Sequence, residues 1–533
     1  LVSIARLTVP FPHRIEERVF REAPRNNTID ELVLEKLQGL RIPPSGLASD
    51  SEFIRRIYLD AAGILPTAAE VEAFLGDNTP DKRKKLIDAL LERPEFVDYW
   101  AYKWSDLLLL KGESKINPTG GDLPSKALRG YYNWVRAGVE RNKPWDKFVR
   151  EMLVASGSNA ENGAVNFLVT NVDPLKASEN VSKAFLGLSL NCAKCHDHPL
   201  EKWTQNDYYA MANLFARVGR KSGSRPGEMI VFTKAAGEVN HPRLGRPMRP
   251  KTLDSEPLEF DAPVDRRVHL ADWLTSADNP LFARTVVNRV WGNFMGRGLV
   301  NPVDDMRATN PASNEKLLSA LTKDFVDHGF DVKYLIRTVV SSATYQLSSQ
   351  TNKLNADDNK YNSHYLPRRL PAEVILDAIS QATGVPEKFS GYPLGTRALQ
   401  LPDAKVNSYF LTTFGRNPRD VTDEAGRMSS SSITQVLHIM NGEALNRKLM
   451  ARGGAVDMLV KLGLSNRRIL DHIYLSAFSR YPGKAERDAM LKALSEAESK
   501  TAGTVLRDGE AKREILEDLL WAVLTSKEFL LNH

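Results

Sequence analysis

Apolar residues along this chain recur mostly at helical spacing, and few stretches show the period of two that a half-buried strand requires. In Thr28-Ile-Asp-Glu-Leu-Val-Leu-Glu-Lys-Leu37 they fall 3.6 residues apart behind a threonine cap, with aspartate in the first turn. Asp50-Ser-Glu-Phe-Ile-Arg-Arg-Ile-Tyr-Leu59 follows the same logic. The pattern predicts further helices near 67–76, 81–92, 96–110, 124–141, 145–155, 207–217, 266–275, 281–295, 313–328, 331–342, 371–383, 432–450, 466–478, 484–498 and 511–530. Glu228-Met-Ile-Val-Phe-Thr-Lys234 is the best strand candidate, and a Pro-, Gly- and Arg-rich run to Pro250 follows it. The expected fold is therefore mainly α, with two helical domains. An N-terminal extension (1–28) precedes a helical domain (29–217), a short β-containing connector rich in Pro and Arg (218–265) and a helical C-terminal domain (266–533).

The two ends repeat one pattern. Ile57-Tyr-Leu-Asp-Ala with Pro66, Glu70, Ala73 and Leu75 matches Ile473-Tyr-Leu-Ser-Ala with Pro482, Glu486, Ala489 and Leu491 at a constant offset, without a gap. Each copy leads to a similar signature, Arg93-Pro-Glu-Phe96 in one and Ser526-Lys-Glu-Phe529 in the other. The physical reading is a helix–proline turn–helix unit used twice.

Composition changes the picture little: 533 residues, 42% hydrophobic and 26% charged, are those of an ordinary globular protein. No apolar run approaches the roughly 18 residues that a membrane span needs. The chain begins at Leu1 with no basic, apolar leader, so any export signal is expected to have been removed or left out. Net charge is +6, and between Arg217 and Lys251 nine basic residues face two acids, Glu228 and Glu238. That stretch raises the local concentration of anionic partners such as an acidic polysaccharide, lipid or redox protein; read blandly, it is a solvated connector.

The most specific chemistry lies in Cys192-Ala-Lys-Cys195-His196, which holds the only two cysteines. The spacing is that of a c-type haem attachment site: each thiol adds across a haem vinyl group, and the adjacent imidazole binds the iron. Covalent haem is attached outside the cytoplasm, which places the protein in the periplasm or at the cell surface. Three other readings stay open. A redox dithiol expects a βαβ surround, whereas the helical pattern Ala177–Leu188 precedes the motif. A zinc or iron ion could draw on Cys192, Cys195, His196 and His198, with His241 relieving the crowding. A disulfide closing so small a ring would stabilise little.

Downstream, Trp203, Tyr208 and Tyr209 could wall a planar cofactor, with the tyrosines as candidates for a redox or catalytic role. Asp207 reads as the cap of a helix burying Met211, Leu214 and Phe215. His198 is too close to His196 to reach the opposite face of one haem, so a supporting or substrate role suits it better, and Asp197 could orient an imidazole. The preferred sixth ligand is His438, set among apolar neighbours in Ser432–Asn441, followed by His241, Met211 and Met440. Two ligands suit electron transfer, and an open position permits chemistry. Two polar clusters lie elsewhere. One runs from Arg284 and Asn288 through Gly296-Arg-Gly to Asp304-Asp305, and the other from Phe414-Gly-Arg416-Asn-Pro-Arg419-Asp420 to Arg427. Either could bind a sugar, a propionate or a metal, with structural ion pairing as the default.

Several motifs in order resemble the planctomycete cytochrome-C-like proteins. These are Ile54–Asp60 with Leu65-Pro-Thr67 and Glu70, the core Cys192-Ala-Lys-Cys-His-Asp-His-Pro199 with Lys202-Trp-Thr-Gln205 and Asp207-Tyr-Tyr209, and Asn279–Arg284 with Val287–Trp291, Gly296–Val300 and Val303–Asp305. Arg337-Thr338, Thr344–Ser348, Arg368–Glu373 and Gln435–Gly442 resemble the family's second, planctomycete-specific domain. The resemblance implies an exported protein with a redox step in glycan use. Many members carry a further N-terminal cytochrome domain; none stands here, so an outside redox partner is expected. Where many relatives place Cys-x-Cys-Glu-Arg, this chain has Thr422-Asp-Glu-Ala-Gly-Arg427. The expected protein is a haem c oxidoreductase or electron carrier meeting a redox protein or anionic polysaccharide rather than nucleic acid. The rivals are a glycan-binding or scaffold protein with a structural metal, and a metal-dependent hydrolase.

Overall fold

A computed structural model of the chain describes residues 7–112, 125–422, 435, 442–501 and 508–533. It is mainly α-helical. Among the described residues, strands form only a three-stranded sheet, in which Met229–Thr233 lies between Gly157–Ser158 and Val218–Ser222, and a pairing of Arg368–Arg369 with Leu531–Asn532. No helix among them is long and apolar enough to cross a membrane.

Local chemistry sets the helix ends. The first predicted helix runs Thr28–Leu40, and Asn27 rather than Thr28 caps it, in a capping box closed by Asp30. Ser49 and Thr67 build the same box with Glu52 and Glu70. The helix expected over 96–110 spans Pro94–Leu107, with proline at its first position. Leu109 then takes φ +58, which breaks the helical path before Leu110. The pattern over 511–530 divides because Ser526 accepts a hydrogen bond from the Phe529 N–H and starts a separate turn, Lys527–Leu530.

The two copies of the repeat share the bounds of their first helix and the start of their second at the constant offset. Asp50–Ala62 answers to Asn466–Phe478, Ser49 and Ser465 cap them, and Gly63 (φ +63) and Ser479 (φ +58) end them in left-handed conformation. Second helices follow at Ala68 and Lys484. In the first copy Arg93 bridges Glu70 (2.7 Å) and Glu95 (3.0 Å) beneath Tyr58, 5.7 Å from the ring centroid. In the second, Arg480 bridges Glu486 (2.8 Å) and Glu528 (2.7 Å) beneath Tyr474, at 5.3 Å. The arginine comes from a different place in each copy, yet the two carboxylates and the ring are the same.

Buried apolar residues from Phe20 to Phe529 form one hydrophobic cluster, so the two halves share a core. Three polar side chains of the Asp50–Ala62 helix pierce it. Arg55 donates to the carbonyls of Ala477 (2.6 Å) and Phe529 (2.9 Å), and Arg56 to those of Tyr345 (2.6 Å) and Leu347 (2.8 Å). The Asp60 carboxylate accepts from Tyr345 (3.0 Å), Tyr365 (3.0 Å), Arg368 (2.5 Å) and Asn532 (2.6 Å). Burial pushes the Asp60 carboxyl pKa up, and Arg368 with the two tyrosyl hydroxyls opposes it.

Replacing Asp60 by Ala leaves the Arg368 guanidinium and Asn532 amide without their acceptor, and is expected to cost about 3–5 kcal/mol in a denaturant titration. A second carboxylate predicts a pH effect. Asp377 is buried, accepts backbone N–H groups of Ala398 (2.7 Å) and Leu399 (3.2 Å), and has its pKa pushed up to about 7, chiefly by burial. Glu373 adds to the rise, and Arg397 and the two backbone donors oppose it. A folded pKa above the unfolded one makes stability fall as pH rises from about 4 through 7. Asp377→Asn is expected to flatten that fall in melting temperatures between pH 5 and 8; an unchanged slope sinks the assignment.

Candidate functional site

The cysteine motif begins where a helix ends. Pro174–Val181, capped by Asp173, widens into a π turn over Ser182–Leu186 and stops at Gly187, φ +64. A β-carbon there would lie 2.6 Å from Met306 Cγ, and the Met306 N–H donates to the Gly187 carbonyl at 2.8 Å, so the second half presses directly on this turn. Asn191–Lys194 then form a 3₁₀ turn. The backbone N–H groups of Cys195 and His196 both point back to the Cys192 carbonyl, at 3.3 and 3.4 Å. This puts both thiols and the His196 ring at the exposed surface of one turn.

The turn is clamped from below by the helix Gln205–Ala212. Gln205 Nε2 donates to the Lys194 carbonyl (2.9 Å), as does the Tyr209 hydroxyl (3.4 Å), and the Asp197 carboxylate accepts the Gln205 N–H (2.9 Å). Thr204, not Asp207, caps that helix; Asp207 is the third residue of the capping box and also holds Lys251 at 2.8 Å. Burial would raise the Asp207 carboxyl, but Lys251 and Thr204 outweigh it and keep its pKa below the usual range.

The imidazole of His196 is held through one ring nitrogen. Its Nδ1 lies 2.7 Å from the Asp197 carbonyl. A carbonyl only accepts, so Nδ1 carries the proton and the lone pair sits on Nε2. This second contact is what orients a metal-ligating histidine. The donor set, two exposed thiols and an Nε2 lone pair, therefore fits covalent haem attachment. Among the described residues no group of three or more His, Cys, Asp or Glu side chains gathers as a metal site.

The other predicted residues lie beneath the turn rather than beside it. Trp203, Tyr208, Tyr209 and His198 are buried. Tyr208 donates to Glu179 at 2.6 Å, and His198 donates its N–H to the Trp203 carbonyl (2.8 Å) while its Nδ1 accepts from Leu200 (3.2 Å). Burial, then the nearby Cys195 sulfur, pushes the Tyr209 pKa up. Of these four side chains only the Tyr209 hydroxyl bonds the cysteine turn itself, at the Lys194 carbonyl. His241 is also buried, its ring 5.0 Å from that of Tyr209, and Met211 is in the core. His438 and Met440 lie outside the described residues.

Sequence reading missed Arg307 and Glu201. Arg307 is gripped by Asp305 through two bonds of 2.6 Å, which raise its pKa, and it stands within electrostatic reach of Cys192 and Glu201. Glu201 accepts the Ala308 N–H at 2.7 Å, tying the same loop to the motif. The basic stretch also looks different when folded. Arg217 pairs with Glu238, Arg220 donates to the Leu168 and Asn171 carbonyls, Arg249 pairs with Glu259 and Lys251 with Asp207. Lys221, Arg225, Lys234, Arg243 and Arg246 remain exposed.

A mainly helical pair of domains locked through one core, with an exposed CxxCH turn on the first, defines the architecture. Comparison with known families gives two matches in chain order: residues 28–220 match the model described as PSCyt2, protein of unknown function (DUF1549), and residues 266–494 match PSD1, protein of unknown function (DUF1553). The chain thus carries the planctomycete-type pair of domains. No curated protein and no solved structure matches it.

If Gln205 holds the turn, Gln205→Ala should lower stability by about 1 kcal/mol and speed amide exchange across 191–198 more than elsewhere. Uniform exchange would remove that role.

Proposed function

We propose that this protein is an exported c-type haem protein, an oxidoreductase or electron carrier coupled to the use of anionic polysaccharide. The observation that carries the reading is the His196 ring, its Nδ1–H fixed on the Asp197 carbonyl and its Nε2 lone pair free beside two exposed thiols. Cys192 and Cys195 would hold the group covalently and His196 would ligate its iron, which supplies one-electron chemistry once bound. The protein's own residues do the rest. Gln205 and Tyr209 fix the turn, and the exposed Leu200 offers apolar contact at its rim. Lys221, Arg225, Lys234, Arg243 and Arg246 form no ion pair among the described residues and support an anionic glycan or redox protein as partner.

Pyridine haemochrome spectra of protein matured in the periplasm of an expression host test the reading. About one haem per chain should survive acid–acetone extraction, and the double variant Cys192→Ser/Cys195→Ser should carry none. His196→Ala should keep covalent haem while changing its ligand-field spectrum. Protein without covalent haem but with stoichiometric zinc or iron overturns the proposal.

A further inference from the structure

Parts of the two polar clusters noted in the sequence, more than a hundred residues apart, meet; Asp423, Glu424 and Arg427 of the second lie outside the described residues. Residues of the Gly296–Val303 stretch and of the Asn417–Thr422 stretch line one cavity of about 400 Å³ between the helices Pro94–Leu107 and Phe282–Met295, at the seam of the two halves. The volume lies in the range of small-molecule sites.

The walls divide by chemistry. Trp104, Leu107 and Val303 make an apolar side. Opposite them the groups are mostly donors. Arg297 is half-buried and has no hydrogen-bond or ion-pair partner among the described residues, while Asn301 and Asn417 add amides. The lining carboxylate, Asp106, is already matched by Arg419 at 2.8 Å.

The backbone that carries Arg297 is tightly constrained. The residue stands between Gly296 (φ +76) and Gly298, where a β-carbon would lie 2.3 Å from the Val300 carbonyl oxygen. Both glycines are demanded by the tight backbone on either side of Arg297. The same loop runs on through Asp305 to Arg307 beside Cys192.

We propose that this cavity binds a compact organic oxyanion, of the size and polarity of an acidic monosaccharide, with Arg297 on its carboxylate or sulfate. A guanidinium recognises either group through paired donors, and a pyranose offers an apolar face to the indole side and hydroxyls to the amides. The inference is independent of haem, because binding can be read on protein with or without it.

The test is calorimetric titration of the full chain with galacturonate, galactose 6-sulfate, galactose and inorganic sulfate. At least one acidic sugar should bind ten-fold or more tighter than galactose, and the tighter of the two identifies the anion as carboxylate or sulfate ester. Arg297→Gln should weaken that sugar at least ten-fold, Arg297→Lys should restore part of the loss, and Lys492→Gln, an exposed change outside the cavity lining, should change nothing. Circular dichroism and the melting temperature check that each variant is folded. The proposal falls if neither acidic sugar binds at millimolar concentration, if Arg297→Gln binds as the parent does, or if inorganic sulfate binds as tightly as the sugars.

Discussion

The structure depends on the Asp60 carboxylate. It is a charge in the middle of an apolar cluster, and such a charge persists only when its surroundings supply donors. Here they come from four places, Tyr345, Tyr365, Arg368 and Asn532, none of them near residue 60 in the chain. Arg55 and Arg56 add a complementary demand from the same helix by reaching for carbonyls at Ala477, Phe529, Tyr345 and Leu347. Non-directional apolar packing tolerates some sliding. Hydrogen bonds to a buried carboxylate and two buried guanidinium groups do not, so the register of the halves is set here. The loop with Met306 and Arg307 owes its place against the cysteine turn to that register.

Most of the fold was legible in the chain because helices of this kind are written locally, as apolar stripes with polar caps. Helix after helix falls within a few residues of its expected span. The repeat was legible too, since a matched proline, glutamate and tyrosine at one offset ask more than shared periodicity. What local pattern could not supply were the partners. Arg55, Arg56 and Asp60 read as charges on an amphipathic helix, and only tertiary contact makes them interior. Likewise Arg217, Arg220, Arg249 and Lys251 counted as surface charge until folding gave each an acceptor close by.

The candidate site divides in the same way. The CxxCH spacing is a short-range signal and needed no fold to be seen. Trp203, Tyr208 and Tyr209 looked like cofactor walls because aromatic side chains with polar tips suit either a wall or a core, and sequence offers no means of deciding. The structure puts them under the turn, where their hydroxyl and backbone groups hold Lys194 and His198 in place. Arg307 was invisible because its approach to Cys192 spans more than a hundred residues. The convergence of the two polar clusters on one cavity is likewise a property of the seam.

The bond from Asn532 to Asp60 spans 472 positions of the chain. Closing so long a loop sacrifices chain entropy before the contact repays it, and contacts of that separation slow folding. A helix made early in synthesis thus waits, with two guanidinium groups and a carboxylate unmatched, for residues made almost five hundred positions later. The polar centre around Asp60 is thus completed only after the second half has emerged, and the cysteine turn likewise receives its Met306 and Arg307 neighbours from residues made more than a hundred positions after it.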